Sequence, residues 1–204
     1  MSSPSLSSLL PILIIAAVLA LMGFAILRSR KSRHEAWKAL AARHEWTFTE
    51  TKGALEVQGL HHGRQLSLLT EQREGGKHRH TAAVLRLDLG DVLGRSLLLE
   101  PESLEDTFLE LFGGKGEEVG DAALDLKRIS PEVRALLRAP EVARHLLELR
   151  ASYASFSIVA GMLEAELRGF PETLEALEAG VLPALGLANA LYTARQQLPG
   201  RTSV

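Results

Sequence analysis

"HTAAVLRLDL", residues 80–89, decides the fold. Leu85, Leu87 and Leu89 alternate with Arg86 and Asp88, and a period of two sends successive side chains of an extended chain to opposite faces. One apolar and one charged face mark an antiparallel strand buried on one side only. Toward the N-terminus the same period recurs in "RQLSLLTEQ" (64–72), "ALEVQGL" (54–60) and "WTFTET" (46–51), with "REGGK", "HHG" and "KG" between them as turns. Toward the C-terminus "GDVLG" reads as another turn and "RSLLLEP" (95–101) as another short strand. The spacing predicts a meander of four or five strands.

Helical signals follow. "SLEDTFLELFGG" opens on Ser103 and Asp106 in a capping arrangement and stops at Gly113. "ALDLKRI" (123–129) reads as a strand, and "SPEVRALLRAPEVARHLLELRAS" (130–152) as two helices, each with a proline, Pro131 or Pro140, in its first turn. "ASFSIVAG" and "MLEAELRG" form a second hairpin, in which Leu163, Ala165 and Leu167 alternate with Glu164, Glu166 and Arg168. A long helix over 171–197 carries Leu174, Leu177, Val181, Leu185, Ala188 and Tyr192 on one stripe, with Gly180 and Pro183 expected to bend it. Residues 46–195 are enough for one core, so they read as a single α+β domain followed by a flexible tail, 196–204.

The chain before this domain belongs to a different solvent. Met1 to Leu27 contain no ionisable side chain, and Leu9 to Leu27 is an uninterrupted uncharged run. As a helix rising ~1.5 Å per residue, residues 9–27 reach about 28 Å, the thickness of a bilayer's hydrocarbon core. The expected element is an uncleaved transmembrane helix, preceded by a short extracytoplasmic tail (1–8). Arg28, Arg30, Lys31 and Arg33 all lie on its C-terminal flank and none on the other, which predicts a single pass of the inner membrane with the domain in the cytoplasm. The absence of cysteine agrees. Residues 28–45 then form a basic junction and a short amphipathic helix displaying Trp37, Leu40, Ala41 and His44. The apolar stretch "AGVLPALGLANALY" near the C-terminus is too short and too interrupted to be a second span.

Setting the four junction cations aside leaves 19 basic against 25 acidic side chains, a net of about −6 with histidine neutral. A field of that sign excludes nucleic acid as a partner. It also predicts that the junction cations meet anionic headgroups while the acidic domain is pushed off the surface.

Motifs for chemistry are few. His61, His62, His78 and His80 are metal-type donors, but the two pairs fall at opposite ends of one predicted strand, roughly 23 Å apart at 3.3 Å per residue, so no joint metal site is expected. "GGKG" (113–116) lacks the spacing and the strand-to-helix setting of a phosphate loop. No hydrolase constellation is present, and no residue is nominated as catalytic, cofactor-binding or metal-ligating; neither a cofactor nor a small-molecule substrate is expected. The strongest charge asymmetry is a run from Glu100 to Asp125 with nine acids against Lys115. Within it Glu105, Asp106, Glu110, Glu117 and Glu118 form a candidate docking patch for a basic protein partner, reached by electrostatic steering.

The pattern "G-x-x-x-G-R", here Gly59 to Arg64, followed by "G-D-x-x-[FL]-D", here Gly120 to Asp125, then a helix ending in Leu136-Leu137, a hairpin and a long helix, resembles a loosely defined family of uncharacterised bacterial membrane-anchored α+β domains. The resemblance implies architecture and no established site residues. The functional expectation is a non-catalytic protein-interaction or scaffolding module. A pleckstrin-like lipid- or peptide-binding module and an enzyme of unrecognised type are its rivals.

Overall fold

The computed structural model describes residues 6–75, 78–95, 97–99 and 130–197. The expected helix after Ser103, the strand at 123–129, "GGKG", the Gly120–Asp125 pattern and the acidic patch residues Glu105, Asp106, Glu110, Glu117 and Glu118 lie outside them.

Helix α1 (Leu6–Arg43) leads into the strands β1 (Thr47–Thr51), β2 (Ala54–His61), β3 (Arg64–Gly75) and β4 (His78–Asp88). A one-turn helix α2 (Gly90–Leu93), the two-residue strand β5 (Leu98–Leu99) and helices α3 (Pro131–Leu137) and α4 (Pro140–Ser152) come next. The hairpin β6 (Tyr153–Val159) and β7 (Met162–Leu167) and the final helix α5 (Leu174–Gln197) complete the domain. The class is α+β, with an antiparallel sheet and a long C-terminal helix, as the alternation and the helical stripe imply.

Among the described residues the strands form one seven-stranded sheet in the order β1-β2-β3-β4-β7-β6-β5. The meander and the second hairpin are therefore not separate units. Val84–Asp88 of β4 pair with Met162–Glu166 of β7, fusing them. Register explains the alternation: Leu85, Leu87 and Leu89 share a face with Val57, Leu66, Leu68, Leu163 and Ala165, all buried, and the helices cover that face.

Three details differ from the expected elements. The "GDVLG" segment is helix α2, not an open turn, because Val92 and Leu93 are buried and an extended turn would leave them in water. Within "RSLLLEP" the described strand is only Leu98–Leu99, on the sheet edge beside β6. The expected transmembrane segment and the expected amphipathic helix belong to one continuous 38-residue helix, α1, since nothing between Leu27 and Arg43 is a helix breaker.

The prolines act as read. Ser130 caps α3, its Oγ accepting from Val133 N at 3.2 Å one residue before Pro131. Thr173 Oγ1 accepts from Ala176 N at 3.2 Å and starts α5. In α5, Pro183 removes one helical N–H donor, and the buried Tyr153 hydroxyl donates to Gly180 O at 2.7 Å in the same turn. Burial pushes that hydroxyl's pKa up, so it stays a donor. Helix α5 is long and apolar enough by composition to cross a membrane. Its apolar stripe is spent on the core instead: Leu177, Ala184, Leu187, Ala188 and Leu191 are inaccessible.

Candidate functional site

The cationic flank lies where α1 meets the domain. At about 100° per residue, Ser29, Ser32, Arg33, Ala36, Trp37 and Leu40 fall on one stripe, and that stripe is the bound face. Trp37 and Leu40 are fully buried among the core residues. Nearer the apolar segment the contacts become polar. Ser29 Oγ donates to Glu172 Oε1 at 2.7 Å, Ser32 Oγ donates to Glu172 O at 3.3 Å, and Arg33 Nε lies 3.5 Å from Glu172 Oε1. The Arg33 guanidinium also sits 5.2 Å over the Phe170 ring, which stacks on Trp37. The β7–α5 loop thus grips the helix to within two residues of Leu27.

On the other flank of the stripe, α1 faces β1. His34 Nδ1 lies 2.9 Å from Glu50 Oε2, and its ring meets Phe48 edge-on. Between these contacts the helix and sheet part and enclose a pocket of about 570 Å³. Arg30, Arg33 and His34 of α1 line one side, Lys52 and Gly53 of the β1–β2 turn another, and Thr70, Gln72 and Thr81 of β3 and β4 the rest. The turn is a tight one with Lys52 and Gly53 both at positive φ, which aims Lys52 off the end of the hairpin.

Electrostatics set the character of this pocket. Its two carboxylates are engaged, Glu50 by His34 and Glu71 by Arg86 and Arg73 at 2.7 and 3.0 Å. Gln72 Nε2 donates to Thr81 Oγ1 at 2.7 Å. Arg30 and Lys52, both exposed, have no ion-pair partner among the described residues. Arg28 and Lys31 are exposed as well but do not line the pocket. Of the four flank cations, then, the fold brings two to the pocket.

The sequence reading missed two clusters that hold the domain together. Arg64 is the one buried charged residue among the described residues. Its Nε and Nη2 donate to the Asp91 carboxylate at 2.9 and 3.1 Å, and its guanidinium lies 5.5 Å from the Tyr192 ring centre. Arg195 reaches the same residue, donating to Asp91 O. The Arg64 bonds hold the Asp91 carboxyl below its ordinary pKa. The signal available in sequence was the final Arg of the Gly59–Arg64 pattern.

The second cluster lies on the sheet face without helices. Arg86 bridges Glu164 at 2.8 Å and Glu71 at 2.7 Å, and Arg73 bridges the same two carboxylates at 2.5 and 3.0 Å, closing a ring of four charges across β3, β4 and β7. Burial alone would raise the Glu164 pKa, but hydrogen bonds from Arg73 and Arg86 outweigh it and hold the group low. Ala82 and Val84, on this face of β4, are buried beside the ring.

The histidine pairs are where the strand reading puts them: His61 pairs with Arg64 at one end of β3 and His78 with Gly75 at the other. His61 Nε2 bonds to Asn189 Oδ1 at 3.0 Å, and His80 Nε2 lies 3.0 Å from Glu166 Oε1. No group of three metal-type donors converges among the described residues. No family model, curated protein or solved structure matches the chain.

Proposed function

We propose that the protein is a single-pass membrane module: residues 9–27 of α1 cross the bilayer, and the α+β domain is held on the cytoplasmic face as a non-catalytic platform for a protein partner. The observation that carries this reading is the continuity of α1. One helix runs from a charge-free segment, where Ile15, Leu19, Leu21, Phe24 and Leu27 are all more than 60% exposed, into the core at Trp37. Apolar side chains exposed on every side of a helix suit lipid and are costly in water.

On this reading the ties of Ser29, Ser32 and Arg33 to Glu172 support a domain held close to the headgroups, against the repulsion expected of its acidic surplus. Residence is tested by carbonate extraction of the full chain, which should leave it in the membrane pellet; release into the supernatant would overturn the anchor. Sidedness is tested by a reporter active only in the periplasm, fused after Val204, which should stay silent; strong activity would reverse the topology. A second reading, a lipid- or peptide-binding module, is favoured by the cation-lined pocket between α1 and the ends of β1 to β4.

A further inference from the structure

Arg30 and Lys52 approach one space from different elements, and neither has an acidic partner among the described residues. In a domain with an acidic surplus this is a local inversion of charge. Long cationic side chains are ordinarily satisfied by water or by a nearby carboxylate; here the two nearby carboxylates are committed to His34, Arg73 and Arg86. The third cation, Arg33, closes the site from the side of Glu172 and Phe170. A guanidinium fork and an ammonium point charge converging on a solvent-open cavity are the donor set for a phosphate group. Gln72 and Thr81 supply neutral donors and acceptors for hydroxyls beside it. Large apolar side chains are scarce in the lining, so an acyl chain has no berth there.

Depth points to the source of the phosphate. Arg30 lies three residues beyond Leu27, about 4.5 Å along the helix axis. The headgroup layer occupies on the order of 5–8 Å on each side of the hydrocarbon. The Arg30 end of the pocket is therefore level with lipid phosphates if residues 9–27 span the bilayer. At about 570 Å³ it has room for a whole headgroup.

We infer that this pocket binds a phosphate ester, supplied by an anionic phospholipid of the adjoining leaflet, with Arg30 and Lys52 as its principal contacts. The lipid source rests on the membrane reading above; the phosphate chemistry does not.

Native mass spectrometry of the full chain in detergent tests both, by titration with short-chain phosphatidylglycerol, short-chain phosphatidylcholine and glycerol 3-phosphate. The expected result is saturable one-to-one binding of phosphatidylglycerol, weaker binding of net-neutral phosphatidylcholine, and a loss on the order of tenfold in the Arg30→Gln/Lys52→Gln double variant. The pair Arg28→Gln/Lys31→Gln should bind as the wild type does. Binding of glycerol 3-phosphate as tightly as the lipid would overturn the lipid source and uphold the phosphate site. No saturable binding, or equal losses in the two double variants, would overturn the site itself. Carbonate extraction of the same proteins separates the two claims: a membrane-resident chain that binds no phosphate sinks only the pocket, and a released chain that does bind it sinks the anchor and with it the lipid source, leaving the phosphate site standing.

Discussion

The indole of Trp46 occupies the space that a side chain at Gly59 would need: an added Cβ there would lie 1.9 Å from Cδ1 of the ring. Trp46 Nε1 donates to Leu60 O at 3.3 Å and the His44 ring stacks on the indole, so the ring is fixed where α1 turns into β1. Gly59→Ala should therefore cost about 1–3 kcal/mol by overpacking. Thermal unfolding followed by circular dichroism would show it, and the cost should shrink in a Trp46→Leu background, where the space is free. An equal cost in both backgrounds would mean that Gly59 is needed for its backbone alone.

Asp91 neutralises a guanidinium that is otherwise out of water. Removing the carboxylate in Asp91→Ala leaves Arg64 buried and unpaired, a loss that reaches about 3–5 kcal/mol for fully buried pairs. Asp91 itself is about half exposed, so roughly 2 kcal/mol is expected here. In a double-mutant cycle with Arg64→Met the second substitution should recover part of the loss; strict additivity would show that the two residues do not act as a pair.

The ring of Arg73, Glu71, Arg86 and Glu164 should be more than the sum of exposed ion pairs, because each member holds two partners. Glu164→Ala breaks two bridges and should cost about 1–2 kcal/mol. High salt should recover little of it, since the partly buried ring is weakly screened. A cost that vanishes between low and high salt would make the ring a solvated surface feature.

Acid should unfold the domain in two stages. The His61 pKa is lowered by burial, partly offset by its bond to Asn189. The unfolded chain then takes up that proton first, and stability begins to fall as pH drops below ~6.5. Asp91 and Glu164 are also held low, so their contributions are present above the unfolded values of ~3.9 and ~4.3 and are lost as pH falls through the folded ones. Melting temperature against pH should show a shallow first step absent in His61→Asn and a steeper second step reduced in Asp91→Asn. A profile unchanged by both substitutions would locate the acid lability elsewhere.

Local periodicity made most elements legible before any coordinates. The alternation in β2, β3, β4 and β7 and the prolines at 131 and 140 act within a few residues, and each produced the element it implied. Pairing of β4 with β7 was not legible, because Asp88 and Met162 are 74 positions apart and no local pattern specifies so distant a neighbour. Helix α1 was divided at Arg28 on the grounds of solvent, yet a change of solvent is no instruction to the backbone, and helical hydrogen bonds run straight through it. Arg64 stands in the sequence only as the last residue of the Gly59–Arg64 pattern; its burial depends on Asp91 and Tyr192, which arrive from elsewhere in the chain. The pocket was invisible for the same reason, since Arg30 and Lys52 meet only after β1 has doubled back along α1.

The junction of β4 with β7 has a consequence for how the chain is made. Strands β1 to β4 are joined by tight connections and can pair as each leaves the ribosome, and β6 with β7 can do likewise. Neither piece has a covered apolar face by itself. That cover comes in large part from α5, which is made after all seven strands and brings Leu177, Val181, Leu187 and Leu191 to a core shared by both pieces. Until residue 191 has emerged, the nascent domain exposes a sheet whose one face is leucine and valine, beside an apolar N-terminal segment. A ribosome stalled before α5 should therefore yield a chain that chaperones or proteases remove, and emergence of α5 is the event that closes this core against them.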